Sequence, residues 1–162
     1  EGLFFSTYRA YETFMEETFL LYTLEKPGLS KKKPKSYLKP KNYDHAFELI
    51  KSSMPFLDWT SPDSIIVRSE TYLENGGPVK LAISSEKVVL EDMKKIRNHI
   101  AHNSKESLKQ YKKVIFKHFR IQPMATQKPG EYLLLMSLPS PNQHYLQFYL
   151  NKLKDIARNI AT

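Results

Sequence analysis

The chain has 162 residues, 25 Lys and Arg against 17 Asp and Glu, a formal net charge of +8 and a pI near 9.5. That length fits one domain over 1–162 with a real core. The lack of cysteine excludes a disulfide framework, a cysteine-based metal site and a thiol nucleophile, and fits a reducing, cytoplasmic setting. The positive charge points to a polyanionic partner, nucleic acid first and an anionic membrane surface second, with no acidic partner as the alternative. No apolar run approaches the ~20 residues of a bilayer span, so no membrane insertion is expected. The chain starts at Glu1 without a methionine or a leader and reads as a piece of a longer polypeptide.

Residues Leu3 to about Glu25 predict a long amphipathic helix, with Phe4, Tyr8, Tyr11, Met15, Phe19 and Tyr22 on one stripe and Glu12 and Glu16 off it. Lys26-Pro27-Gly28 ends it, and the basic run Lys31 to Lys35 reads as a solvated loop. A second helix is expected from about Asn42 to Ser53, with Tyr43, Phe47, Ile50 and Met54 at helical spacing. Pro55 to Pro78 holds the only tryptophan, Trp59, and two turn signals, Ser61-Pro62-Asp63 and Asn75-Gly76-Gly77-Pro78, so short helical turns and loop are expected.

Ser84 or Ser85 is the expected cap of a third long helix with Val89, Met93, Ile96 and Ile100 inward and Glu86, Glu91 and Asp92 in its early turns. Asn103 or Ser104 caps the next, striped by Leu108, Tyr111, Ile115 and Phe119. Between Phe119 and Leu138 two candidate strands flank Gln127-Lys128-Pro129-Gly130, predicting a small hairpin or extended excursion. Ser140-Pro141-Asn142-Gln143 then signals the last helix, with Leu146, Tyr149, Leu150, Leu153, Ile156 and Ile160 on one face. The fold class is all-α: a bundle of about five helices.

The candidate site is Arg97-Asn98 followed by His102. An arginine's planar fork matches a phosphate, and a histidine can move a proton near neutral pH. An Arg and a His at such a spacing arise by chance in about half of chains of this composition; an Asn directly after the Arg lowers that to a few per cent. On a wheel of about 100° per residue Arg97 lies roughly 70° from the core centre, while Asn98 and His102 share a face nearly opposite it. Either the helix ends near Ala101 and His102 swings back towards Arg97, or the polar face meets another chain. Truncating Arg97 or His102 is expected to open no cavity.

Arg97, Asn98 and His102, set between two amphipathic helices of an all-α chain, resemble the HEPN superfamily (higher eukaryotes and prokaryotes nucleotide-binding), nearest its RiboL-PSP-HEPN type. The resemblance covers most of the chain and implies a metal-independent endoribonuclease of defence, toxin–antitoxin or RNA-processing systems. RNA would be cut by its own 2′-hydroxyl, leaving a 2′,3′-cyclic phosphate. His102 would transfer the proton, Arg97 would offset phosphoryl charge, and Asn98 would orient His102 or the phosphate. The implied partners are RNA, a second copy in a homodimer, and a regulatory domain or antitoxin; no cofactor is implied. The alternatives are a catalytically silent HEPN-like module for dimerisation or nucleotide or RNA binding, and a helical scaffold.

Each residue also has a plainer reading. Arg97 can pair with Glu91 or a carboxylate of another helix, and His102 can complement a helix C-terminus. His99 is expected to be structural; His45, His118 and His144 read as surface or boundary residues. His99 and His102 lack an acidic neighbour on one face, so metal binding is not expected.

Overall fold

Helix α1 (Gly2–Thr23) buries the whole predicted stripe: Phe4, Tyr8, Tyr11, Met15, Phe19 and Tyr22 all face inward. Steps of three and four residues put those rings above one another, with Phe4 6.2 Å from Tyr8 and Tyr8 5.9 Å from Tyr11 between ring centroids. A computed structural model describes residues 1–52, 54–121 and 125–162. Glu25 takes a left-handed φ of 55°, so the helix stops just short of its expected end. Gly28 then meets the last helix, α8 (Tyr145–Ala161), where a Cβ on Gly28 would stand 2.6 Å from the Ala161 carbonyl oxygen. That close approach is why a glycine sits there. The neighbouring Leu29 N–H donates to the same oxygen, and the Tyr22 hydroxyl donates to the Ile160 carbonyl.

Lys31, Lys32, Lys33 and Lys35 lie exposed as expected. Helix α2 (Tyr43–Lys51) starts at Asn42, whose side chain accepts from the His45 N–H at 2.9 Å. It buries Ile50 and Ala46, with Phe47 half-covered and Tyr43 and Met54 exposed. The expected end at Ser53 lies outside the described residues.

The Pro55 to Pro78 stretch is more regular than its composition suggests. Ser61-Pro62-Asp63 is not a free turn but the start of helix α3 (Pro62–Tyr72), with Ser61 as cap and Pro62 in the first turn. A 3₁₀ turn (Glu74–Gly76) leads into α4 (Gly77–Ser85) through left-handed Gly76. Trp59, just ahead of α3, is buried: it lies 5.3 Å from the Phe19 ring, donates to Glu16 at 2.7 Å and is covered by the Arg68 guanidinium at 4.4 Å.

Helix α5 (Lys87–His102) follows with Glu86 in the cap position; Ser84 and Ser85 belong to α4, and the Ser85 hydroxyl donates back to the Ala82 carbonyl instead of capping. α5 buries Leu90, Met93 and Ile96, with Val89 and Ile100 packed partly against the core. Helix α6 (Lys105–Phe119) is capped by Ser104 and buries Tyr111, Val114 and Ile115, with Leu108 and Phe119 half-covered. Buried Asp92 of α5 holds α6 by accepting from Lys117 at 2.7 and 2.8 Å.

Among the described residues the expected hairpin does not form; residues 122–124, within its first candidate strand, lie outside them. Tyr132 and Leu133 belong to a short helix, α7 (Pro129–Leu133), because Pro129 opens a first turn and Glu131 reaches back to the Lys128 N–H at 2.9 Å. Among the described residues only isolated bridges occur, Ser36 with Leu73 and Met136 with His144. Ser140-Pro141 does not start α8 either, since Ser137 and Ser140 bond each other in a local turn and the helix begins at Tyr145. α8 buries Tyr149, Leu153, Ile156 and Ile160 as expected, with Tyr145 and Phe148 added, while Leu146 and Leu150 are half-covered.

The chain is therefore all-α, and among the described residues α3, α4 and α7 stand beyond the five helices expected. α1 packs on α2, α5 and α8; α3 pairs with α4, and α5 with α6; α7 bridges α5 and α8. The buried side chains form one continuous cluster.

Two positions on α5 test this packing. Ile96 is 0% exposed and Val88 is 63% exposed. Ile96→Ala is expected to lower stability by about 2–5 kcal/mol, and Val88→Ala to change it by about 0.5 kcal/mol or less, read as shifts in the urea midpoint.

Candidate functional site

The turn between α5 and α6 decides where each motif side chain goes. α5 runs through His102 and stops at Asn103, which adopts a left-handed conformation (φ 42°, ψ 38°). Ser104 and Ser107 then form a reciprocal cap: the Ser107 N–H donates to the Ser104 hydroxyl at 3.1 Å, and the Ser104 N–H to the Ser107 hydroxyl at 2.9 Å. The Ser107 hydroxyl donates to the Ser104 carbonyl at 3.0 Å and lies 3.1 Å from His99 Nδ1. A hydroxyl has one proton and two lone pairs. With its proton on Ser104, the set closes when His99 Nδ1 carries the hydrogen and donates to Ser107.

His99 is 8% exposed and stacks on Tyr111 at 5.0 Å. Burial pushes its pKa below the ordinary imidazole value, while the negative charge of Glu1 pushes weakly the other way. It is a structural histidine, tied into the inter-helix turn.

The structure brings Asn98 and His102 together. Both line a groove of about 410 Å³, walled by the start of α3 at Ser61–Asp63, by α5, and by the first turns of α6. Their four-residue separation puts them on one face. His102 is exposed at the last position of α5. α5 ends one residue past the expected Ala101, but His102 does not swing back towards Arg97; it is exposed and points away from the core. Lys94 and Lys95 share the groove, steadied by Asp58 and Asp92, each at 3.4 Å. Glu91 and Glu106 also border it, so it carries both signs of charge.

Arg97 is not among the residues lining that groove. Its guanidinium crosses to α1, where Nη2 pairs with Glu12 at 3.3 Å and the planar group lies 5.5 Å from the Phe5 ring. Nη1 donates to the Asn98 side-chain oxygen at 3.2 Å, which couples Arg97 to the groove through Asn98. Both partners of the ion pair are largely covered, 18% and 17% exposed at the side chain. Burial raises the Glu12 pKa, opposed by the charge of Arg97 and then Arg9. Among the described residues, Arg97 Nε and Glu12 Oε1 are buried without a hydrogen-bond partner.

Arg97→Ala therefore does more than trim a boundary side chain, as the sequence suggested. It leaves a half-buried carboxylate unpaired. Its cost falls between the ~0–1 kcal/mol of an exposed pair and the roughly 3–5 kcal/mol of a buried one.

Glu12 is the carboxylate of another helix that the plainer reading of Arg97 allowed for without naming it. It is seven residues from Phe5, two helical turns along one edge of α1, but nothing local shows that α5 delivers an arginine there. Of the other histidines, His118 is half-buried with Nδ1 3.0 Å from the Tyr145 hydroxyl, and burial pushes its pKa down. His45 accepts from the Lys41 N–H, and His144 precedes α8. Among the described residues no three His, Asp or Glu side chains cluster in metal-binding geometry, and no helix is long and apolar enough to cross a membrane. Comparison with family models, with curated proteins and with solved structures gives no match.

Two depressed histidines set a pH dependence. On acidification the unfolded chain takes up protons at the ordinary imidazole pKa of 6.5, before the folded chain does at His99 and His118. Stability present above that value is therefore lost as pH falls through the lower folded values. The urea midpoint should drop more steeply between about pH 7.5 and about pH 5 in the parent than in a His99→Gln/His118→Gln variant. Equal slopes would remove both groups from the account.

Proposed function

We propose that the chain is a HEPN-type endoribonuclease domain that cuts RNA with side chains alone. The observation that carries this reading is the pairing of Asn98 and His102 on one groove with Arg97 hydrogen-bonded to Asn98 from behind. His102 removes the proton from the ribose 2′-hydroxyl, whose oxygen attacks the adjacent phosphorus. The P–O5′ bond breaks, and the departing oxygen takes a proton from a general acid, leaving a 2′,3′-cyclic phosphate and a 5′-hydroxyl. Asn98, fixed through its oxygen by Arg97, presents its amide N–H₂ to a phosphoryl oxygen.

One groove offers one histidine, and a step of this kind uses a base and an acid. A second copy across a twofold axis supplies the other His102 and the second Arg97. The outward direction of His102 supports this arrangement. Under the same reading the domain acts in defence, toxin–antitoxin or RNA-processing systems, in the cytoplasm, under a regulatory domain or antitoxin.

The alternative, a catalytically silent module for dimerisation or for nucleotide or RNA binding, has one observation in its favour: Glu12 holds the guanidinium that phosphate would need.

Incubation with mixed RNA in EDTA separates the two. The parent should cleave it and spare DNA, which lacks the 2′-hydroxyl. His102→Ala should lose about 100-fold or more in rate, Arg97→Ala and Arg97→Lys should both fail because a point charge does not replace the planar fork, and His99→Gln should cut nearly as well as the parent. Circular dichroism run alongside identifies any variant that has merely unfolded. RNA bound but uncut by the parent would favour the silent module. Light scattering at high protein concentration should give the mass of a homodimer; a strict monomer with full cleavage activity would rule out the shared site.

A further inference from the structure

The outer face of α6 carries charge that the fold does not use. Lys105, Lys109, Lys112, Lys113, Phe116 and Arg120 fall within an arc of about 100° on a helical wheel, opposite the buried Tyr111, Val114 and Ile115. Among the described residues none of the five cations has an acidic partner within ion-pair distance. The helix holds a single acid, Glu106, whose carboxylate accepts from Gln110 at 2.8 Å. Like charges at these spacings destabilise an isolated helix, so the face favours an anion from outside the chain. Amid the lysines Phe116 is 53% exposed and, with Lys109, Lys112 and Lys113, lines a cleft of about 380 Å³.

We propose that this face is a docking track for single-stranded RNA, with phosphates on the lysines and an unpaired base stacked on Phe116. The proposal rests on the endoribonuclease reading for the choice of RNA. The charge is complementary to a polyanion, and a flat exposed ring between cations suits an unstacked base. A duplex buries the faces of its bases within its own stack and offers the ring little. The track also runs the right way. Lys105 is three residues beyond His102, and the stripe extends from there along α6 for about 22 Å at 1.5 Å per residue. A strand held on it is led to the groove of Asn98 and His102.

The test uses a fluorescein-labelled 2′-O-methyl oligouridine, which cannot be cut by 2′-hydroxyl attack, and reads binding by fluorescence anisotropy. Phe116→Leu keeps an apolar side chain but no ring, and should weaken binding about tenfold, with Phe116→Trp restoring it. Lys109→Gln/Lys112→Gln/Lys113→Gln should flatten the log–log dependence of affinity on salt by about two, at ~0.7 per phosphate contact. Thermal unfolding of each variant checks the fold. Unchanged binding in folded variants overturns the proposal. So does an equal loss from Phe116→Leu with duplex RNA, displacement of the oligonucleotide by polyglutamate at matched charge, or preferential binding to phosphatidylserine vesicles. Loss of binding in a protein that never cleaves RNA would sustain the track and remove the nuclease, while cleavage with unchanged binding would do the reverse.

Discussion

The hydroxyl of Ser107 is the point on which the functional end of the molecule turns. It is shared among the Ser104 backbone on both sides and the ring of His99, so one oxygen closes the cap of α6 and anchors the last turn of α5. The left-handed Asn103 lets the chain reverse within two residues. With α5 ended and α6 started at fixed points, the faces of both helices are set. Asn98 and His102 fall on the groove, His99 falls inside on Tyr111, and the lysines of α6 are turned out. A helix shift of one residue would rotate each of these by about 100° and scatter them.

Charge behaves differently on the two sides of α5. On the groove side, Lys94 meets half-exposed Asp58 near water, where such a pair contributes little, and Lys95 meets Asp92, which is buried and held chiefly by Lys117. On the α1 side, Arg97 and Glu12 meet under cover, and each lacks part of the hydrogen bonding that would offset its desolvation. The Arg97–Glu12 contact is thus a poor anchor. Glu12, its pKa already raised by burial, accepts a proton more readily than an ordinary surface carboxylate.

What the sequence makes legible here follows from the range of the interaction. The stripes of α1, α5, α6 and α8 and the cap at Ser104 depend on neighbours within four residues, and they stand where local pattern puts them. So does the shared face of Asn98 and His102. The misread segments are those where one local signal has two meanings. Ser61-Pro62-Asp63 reads as a turn and serves as a helix cap. Ser140-Pro141 reads as a cap and serves as a turn, because Ser137 takes the hydrogen bonds first. Tyr132 and Leu133 have strand-like composition, yet they are packed as a helical turn against Tyr145 and Tyr149. Partners distant in sequence, above all Glu12 for Arg97 across 85 positions, leave no local trace.

The lone tryptophan gives the molecule an optical gauge. Trp59 is clamped between Phe19 of α1 and Arg68 of α3, with its indole N–H on Glu16. An indole in that setting is shielded from water and hydrogen-bonded to a carboxylate. Its emission therefore reports one event, the seating of α3 against α1, without a label and without interference from a second indole. Because Arg68 also donates to the Asp58 carbonyl, and Asp58 pairs with Lys94 on the groove, a ligand that draws Lys94 away is felt at the same ring. The colour of one side chain thus couples the far wall of the groove to an instrument.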